Sequence, residues 1–495
     1  MSRKRKRSSE ELPEEVTIEN PIRVPFVTQE FTDSLLESVS TSDYSKITRS
    51  AVAAVGSTIA STDPDLAKRF NHIFLNTLKP IDSKATDQGA SGRCWIYAGL
   101  NMFRHLVGKA LNIKDFEFSQ NYLYFWDKYE RSNTFLMSII ETRGLPLGDR
   151  TVDFLLEQAL LDGGYWSMFS ALVEKYGLVP KATMPETWQS CDSDDLNQSL
   201  RGILLPAVTI FREPVPTDEL LPIRDAIMTQ IFTTLTKYLG IPPREFSWTF
   251  STEEHQTRAI YNLTPLAFKS MVLPGIDLDD YVALVNVPVK NRPFDTMYTL
   301  KYSNNVMEAE PSTMLNVNNW EMRKALSKSV MSGHPVWIGC DVMNDFQYYL
   351  SALDPNLMQS AALFGETIPT DKGHSLEYGL TCESHAMVLT GLNFNEKDHI
   401  TDLQVENSWG YWDNEVRGLD GYLHMSGDWF DKNVVEIIVH KNYLTRSMQQ
   451  NLLKDPVVLE PWDMLAKCTY IKGKEPPRQL RNCWKNRSRT TRPKR

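Results

Sequence analysis

The chain has 495 residues, 42% of them hydrophobic and 11% aromatic, with 24 Gly, 27 Pro and 6 Cys. That apolar content excludes a wholly disordered chain, the Gly and Pro counts exclude collagen-like and low-complexity classes, and sparse cysteines without a C-x-x-C pair exclude zinc-ribbon and thioredoxin-type readings. The net charge of −9 is uneven: residues 3–7 contribute +5 and residues 467–495 contribute +10, which leaves −24 for the body between them; such a body repels nucleic acid, and only the two ends could bind it.

Residues 1–30 form a basic, polar tail whose opening, MSRKRKRSSEELPEE, has no apolar run and is not a secretory signal. No stretch approaches the roughly 20 apolar residues of a membrane helix. A soluble, intracellular protein with free thiols is expected. Residues 31–463 form the body, with a helical part over 80–180, a helical insertion over 180–310 and a β-rich part over 311–463; residues 464–495 form a basic extension. Within the body, CWIYAGLNMFRHLVGKAL (94–111) has helical apolar spacing, and Gly99 and Gly108 inside it indicate close packing. The aromatic stretch NYLYFWDKYE (121–130) has balanced charges and reads as helix packing or a subunit contact. From 318 the pattern sharpens. NNWEMRKALSKSVMSG (318–333) reads as a helix with an Asn cap and a Gly stop; VWIGC (336–340), HAMVLTGL (385–392), TDLQVEN (401–407), GYLHM (421–425) and VVEIIVH (434–440) read as strands. The fold class is α+β.

The junction QGASGRCW (88–95) places Cys94 at the first turn of a long helix. Unsatisfied backbone N–H groups and the positive helix end favour a thiolate there. Gln88 offers a side-chain amide that, with the Cys94 N–H, would make an oxyanion hole. A catalytic thiol needs an imidazole base, which in turn needs an orienting partner. A hairpin centred near Glu396 sets His385 opposite Asn407, with their side chains on one face. One residue of slip would separate them, and hairpin geometry alone equally allows a His and an Asn that merely end two strands.

QGASGRCW together with ENSWG (406–410) resembles the papain-like cysteine peptidases. Cys94 and His385 stand 291 residues apart, well beyond the roughly 130–150 of papain itself. That spacing, with HPVWIGCDV (334–342), SHAMVLTG (384–391), GYLHMSGDWF (421–430) and DPVVLEPWD (455–463), resembles the bleomycin hydrolase and aminopeptidase C branch over about residues 31–463. The resemblance implies a papain-like core with a large helical insertion and an oligomerising extension, assembled as a homohexamer in the cytoplasm. It implies no cofactor and no metal. It also implies Cys94 as nucleophile, His385 as acid and base, Asn407 as its orienting partner, Gln88 at the oxyanion and Trp409 shielding the His–Asn bond. The activity implied is broad aminopeptidase action on peptides, with bleomycin-type amide and thiolactone hydrolysis in some members.

One departure stands out. Family members end shortly after the PWD motif, whereas PWD (461–463) here runs on into the basic extension. Strict aminopeptidase action is therefore in question, and the extension could be a genuine tail or an altered gene end. The competing reading is a catalytically restricted, barrel-shaped scaffold that binds nucleic acid through basic termini, RKRKR (3–7) serving as a nuclear address or a solvated end. Transglutaminase-like acyl transfer comes third. Cys340 and Cys382 read as packed thiols, His424 as a satisfied strand residue, and His374 and His399 as loop residues.

Overall fold

The computed structural model describes residues 27–78, 84–113, 116–365, 370–410 and 421–466. The chain divides into two compact units after Ser61. In the first, helices Gln29–Thr41 and Asp43–Val55 are started by Thr28 and Ser42, whose side chains accept from the backbone N–H groups of Phe31 and Ser45. Phe31, Leu36 and Ile47 are exposed along them.

The second unit has a helical half and a sheet half. Helix Cys94–Leu111 begins and ends where the sequence pattern places it. It buries Trp95, Ala98, Met102 and Val107, and Gly99 lets Phe169 approach so closely that a Cβ would lie 2.7 Å from its ring. Helix Gln120–Glu141 runs unbroken through the aromatic stretch, and Trp126 stacks on Tyr176 with centroids 4.0 Å apart. That stretch is helix packing. Helices Trp166–Tyr176, Asp194–Phe211 and Thr217–Leu239 complete this core.

The helical character expected up to residue 310 gives way earlier. Strands Phe246–Ser251 and Thr257–Leu263 pair with each other, while Tyr281–Val285 and Thr296–Leu300 join the main sheet. Phe246–Ser251 alternates apolar and polar residues, a period-2 signal that the helical reading passed over; Thr257–Leu263 is largely exposed, and Tyr281–Val285 and Thr296–Leu300 are short and carry no clear period. The middle of the main sheet runs in the order Tyr281–Val285, Val434–His440, Val336–Cys340, His385–Phe394, Ile400–Glu406, Tyr422–Ser426. Its two faces bury different cores. Trp337, Ala386, Val388 and Ile438 pack with the helical half. Ile338, Cys340, Met387, Leu389 and Val405 pack on the other side with Met322 and Leu326 of helix Asn319–Met331. That helix is capped by Asn318 as expected, and Gly333 follows it at a φ of 88°.

The Cys94 helix and the strand Ile400–Glu406 are joined by a buried ion cluster. Glu406 meets Arg104 at 2.5 Å and His105 at 3.0 Å. Burial pushes the Glu406 carboxyl up, but the Arg104 charge and the hydrogen bond with His105 outweigh burial and hold it below the usual range. Further on, Val457–Leu459 pairs with Thr296–Leu300, Glu460 meets Lys301 at 2.6 Å, and the Arg150 guanidinium lies 4.4 Å from the Trp462 ring. Leu465 is buried. The body thus holds the chain through residue 466, and both RKRKR (3–7) and residues 467–495 lie outside the described residues. No described helix is long and apolar enough to cross a membrane.

Two expectations need correction. Cys382 is in a disulfide, not a packed thiol, whereas Cys94, Cys191 and Cys340 are free. His374 sits on a short helix, Lys372–Glu377, where it bonds Asp371, and not in a loop. His424 is a satisfied strand residue, as expected, with Nε2 3.1 Å from Asp402.

Arg104→Met leaves Glu406 buried with only His105, and breaking one side of a buried pair costs about 3–5 kcal/mol. Urea unfolding of the variant is expected to show a loss of that order; a loss below about 1 kcal/mol, the level of an exposed pair, would show that the cluster does not fasten the helix to the sheet.

Candidate active site

Residues 86–95 form a loop pinned from two sides before it enters the Cys94 helix. On one side it pairs with residues 408–410. Gln88 N–H donates to the Ser408 carbonyl at 2.8 Å, Gly410 N–H donates to the Thr86 carbonyl at 2.9 Å, and Asp87 bridges to Trp409. On the other side buried polar groups hold the turn. Gly92 N–H donates to Asp162 Oδ2 at 3.2 Å, and Trp95 Nε1–H donates to the Asp162 carbonyl at 2.7 Å. Lys128 sits 2.6 Å from the Asp162 carboxylate. Burial alone would raise that carboxyl, but Lys128, Ser193 and Asn197 hold it far below the usual range. Gly89 has a φ of 62°, and a Cβ there would lie 2.4 Å from the Cys191 carbonyl oxygen. Only glycine fits that turn.

Arg93, immediately before the nucleophile candidate, is fully buried. Its guanidinium meets Glu186 at 2.9 Å between the rings of Tyr97 and Tyr124, each 5.2 Å away. Its Nε–H donates to Ser91 Oγ, whose hydroxyl donates to the Gln88 carbonyl. Arg93 occupies the helix N-cap position but makes no capping bond. The helix start is thus held by charges beneath it, with no Ser, Thr or Asp side chain folded across its N–H groups. Cys94 is half-buried, carries a free thiol and packs against the helical core.

The sheet supplies the other residues. The His385 ring meets Asn407 Oδ1 through Nε2 at 2.8 Å. Asn407 Oδ1 also accepts from the Ser408 N–H at 2.8 Å, which fixes the amide orientation. An oxygen acceptor requires a protonated Nε2, so a neutral ring has Nδ1 as its free base. Trp409 lies over this pair, its ring 4.8 Å from that of His385 and tilted by 33°. Gln88 Oε1 accepts from the Ser408 hydroxyl at 2.6 Å, and Gln88 Nε2 donates to the Ser91 carbonyl at 2.5 Å. An amide NH2 has two donors, so this bond leaves a second N–H to offer.

The expected hairpin forms, but with a different register. Val388 faces Glu406 and Leu389 faces Val405, two residues beyond the expected pairing, with bulges after Leu389 and Asn393. An even shift keeps each side chain on its face. His385 and Asn407 become diagonal neighbours, which long side chains can still bridge. His385 lies directly opposite Cys340 on the adjacent strand. The Cys340 thiol is pushed well up, by burial first and then by Asp341, Glu383 and Cys94. Cys94 is therefore within electrostatic reach of the residue facing His385.

His385, Asn407, Trp409 and Gln88 are thus linked through one short segment, 407–409, and Cys94 leaves the loop that this segment pairs with. Sequence reasoning missed Ser408, Glu406, Arg93 and Asp162. The first two flank Asn407 within ENSWG and were legible as neighbours. The last two act through residues distant in sequence, and no local pattern marks them.

The Peptidase C1-like family model matches residues 26–466. Aminopeptidase C of Listeria innocua is 35% identical over 403 residues, covering 80% of this chain and 90% of that protein. Bleomycin hydrolase of Homo sapiens is 33% identical over 411 residues, covering 81% and 89% respectively. The crystal structure of PepW from Lactobacillus rhamnosis HN001 superposes with a TM-score of 0.84 at 32% identity, covering 89% of this chain and 98% of that one.

Burial lowers the His385 pKa from 6.5 to about 4, against the opposing pull of its Asn407 bond. The folded ring stays neutral where the unfolded chain has already taken up a proton, so stability is lost as pH falls from about 6.5 towards 4. The gap amounts to about 3 kcal/mol. In a Cys94→Ala background, where no thiolate can stabilise the charged ring, His385→Gln removes the titration, and the urea-unfolding stability of the double variant is expected to fall by that much less than that of Cys94→Ala between pH 7 and pH 4. Equal losses in the two proteins would mean that His385 is not held neutral by burial.

Proposed function

The chain belongs to the Peptidase C1-like family, and from that premise we propose that it is a cysteine aminopeptidase of broad specificity acting through Cys94, His385 and Asn407. The observation that carries the reading is the His385–Asn407 bond, covered by Trp409 and tied through Ser408 to Gln88 on the loop that delivers Cys94.

Cys94 Sγ attacks the carbonyl carbon of the first residue, and its proton passes to His385 Nδ1. The oxyanion is received by the Cys94 N–H and the remaining N–H of Gln88 Nε2. His385 returns the proton to the leaving amine as the C–N bond breaks, which leaves a thioester on Cys94. The ring then takes a proton from water as the hydroxide attacks the thioester, and the acid departs with the thiol restored. Asn407 keeps Nε2 occupied throughout, so Nδ1 alone moves protons. Burial opposes an isolated imidazolium here, so the charged ring forms with the thiolate as its counter-ion. The same acyl-enzyme chemistry extends to the amide of bleomycin and to thiolactones.

Cys94→Ala is expected to abolish peptide hydrolysis, and Gln88→Ala to lower kcat by roughly 10²–10³-fold. By NMR the His385 ring should titrate near pH 4 in Cys94→Ala and higher in the native protein, where the thiolate stabilises its charge. Residual hydrolysis in Cys94→Ala, or an unchanged His385 titration, would refute the pairing.

A further inference from the structure

The six cysteines stand at 94, 191, 340, 382, 468 and 483. Of the four in the described residues, Cys94, Cys191 and Cys340 are free thiols, whereas Cys382 is in a disulfide. A disulfide needs two sulfurs, so within the chain the partner of Cys382 is Cys468 or Cys483. Both belong to the basic extension.

Packing distinguishes the two. Leu465 is buried in an apolar cluster with Val435 and Leu376, and Met464 and Ala466 pack against that cluster. Leu376 lies on helix Lys372–Glu377. The chain leaving this helix folds straight back onto it, since the Leu380 and Thr381 N–H groups donate to the Ser375 carbonyl at 2.8 and 3.1 Å. The Thr381 hydroxyl then donates to Asp341 at 3.1 Å, and Ser384 N–H donates to the Cys340 carbonyl at 3.0 Å. Cys382 is thus held beside the helix that carries Leu376. Cys468 stands two residues past Ala466, a reach of about 7 Å in extended chain. Bridged Cα atoms stand about 4.4–6.8 Å apart, so Cys468 closes the gap without slack. Cys483 stands 17 residues past Ala466 and would close a long loop at an entropic cost.

The same cluster is close to the catalytic base. Val434, next to Val435, faces Cys340, and Cys340 faces His385. Two strand spacings, about 10 Å, separate this part of the cluster from His385. Cys382 itself lies three residues before His385, also about 10 Å of chain. The body carries −24 and residues 467–495 carry +10. Fastened here, the extension sets positive charge beside the base of an otherwise acidic body.

We propose that Cys382 and Cys468 form a disulfide that fastens the start of the basic extension beside His385, and that a dithiol reductant releases it. One thiolate of the reductant attacks a sulfur of the pair, and the other cysteine leaves. The second thiol of the reductant then frees the attacked cysteine as the reductant closes into its own disulfide. Two electrons and two protons pass to Cys382 and Cys468. While fastened, the extension favours peptides with acidic side chains. Once released, its charge moves out of range, since exposed charges act over only about 8 Å at physiological salt. The cross-link stands without the cysteine-aminopeptidase reading, and its effect on substrates rests on that reading.

The test alkylates the full chain with iodoacetamide, without reductant, and digests it with trypsin. Residues 373–397, which contain Cys382, are expected to stay joined to CTYIK (468–472) until a dithiol is added. Linkage to NCWK (482–485), or alkylation of Cys382 in the unreduced protein, overturns the assignment. In assays without reductant, Cys483→Ser should behave as native and Cys468→Ser/Cys483→Ser as the released form. At about 0.15 M salt the double variant is expected to lower the ratio of KM for neutral over acidic peptides about threefold, the scale of one exposed ion pair. The difference should vanish at about 1 M salt, where the range falls to about 3 Å. An unchanged ratio overturns the placement beside His385. If the native protein cleaves no peptide, or Cys94→Ala cleaves as native does, the cysteine-aminopeptidase reading falls, while the peptide map still decides the cross-link.

Discussion

The short pairing of residues 86–88 with residues 408–410 is the constraint on which the site depends. One side of this ladder runs directly into the Cys94 helix. The other follows directly from Asn407, which holds His385. Gln88 and Ser408 reinforce it twice, through a backbone bond and a side-chain bond. Glu406 adds a second fastening one residue before Asn407, by gripping Arg104 and His105 farther along the same helix. Two halves with separate cores are thereby fixed at one edge to within hydrogen-bond tolerance, the tolerance that proton transfer requires.

The buried charges around the loop serve position more than stability. Arg93 with Glu186, and Lys128 with Asp162, are taken out of water, and pairs of this kind return little net free energy against well-packed apolar residues. What they provide is direction. The Asp162 carboxylate and carbonyl hold the Gly92 N–H and the Trp95 indole, while Arg93 bonds Ser91 within the turn. An apolar core could fill the same volume without choosing a path for the backbone.

The boundaries of the Cys94 helix were legible because a glycine-rich loop meets a long apolar stripe there, and the strand Val434–His440 because β-branched residues dominate it. The register of the His385 hairpin was not legible. The pairing already lies two residues beyond the expected one at Phe394 and Ile400, beside the turn, so the turn is centred one residue after Glu396, and nothing in the composition marks that. His385 and Asn407 still met because the error was even. The ion cluster at Glu406 was equally invisible, since it depends on neighbours supplied by a helix. Strands Tyr281–Val285 and Thr296–Leu300 were missed because short segments buried in a sheet resemble pieces of helix.

Gln88 and Ser408 are separated by 320 positions, and this distance has a consequence for synthesis. A ribosome makes the thiol-bearing half long before it makes the half that contains the imidazole. Until the chain has passed Gly410 there is no second side to the ladder, and the loop before Cys94 lacks the strand that pins it. The long intervening sequence thus postpones the closing of this loop until translation of the body is nearly complete.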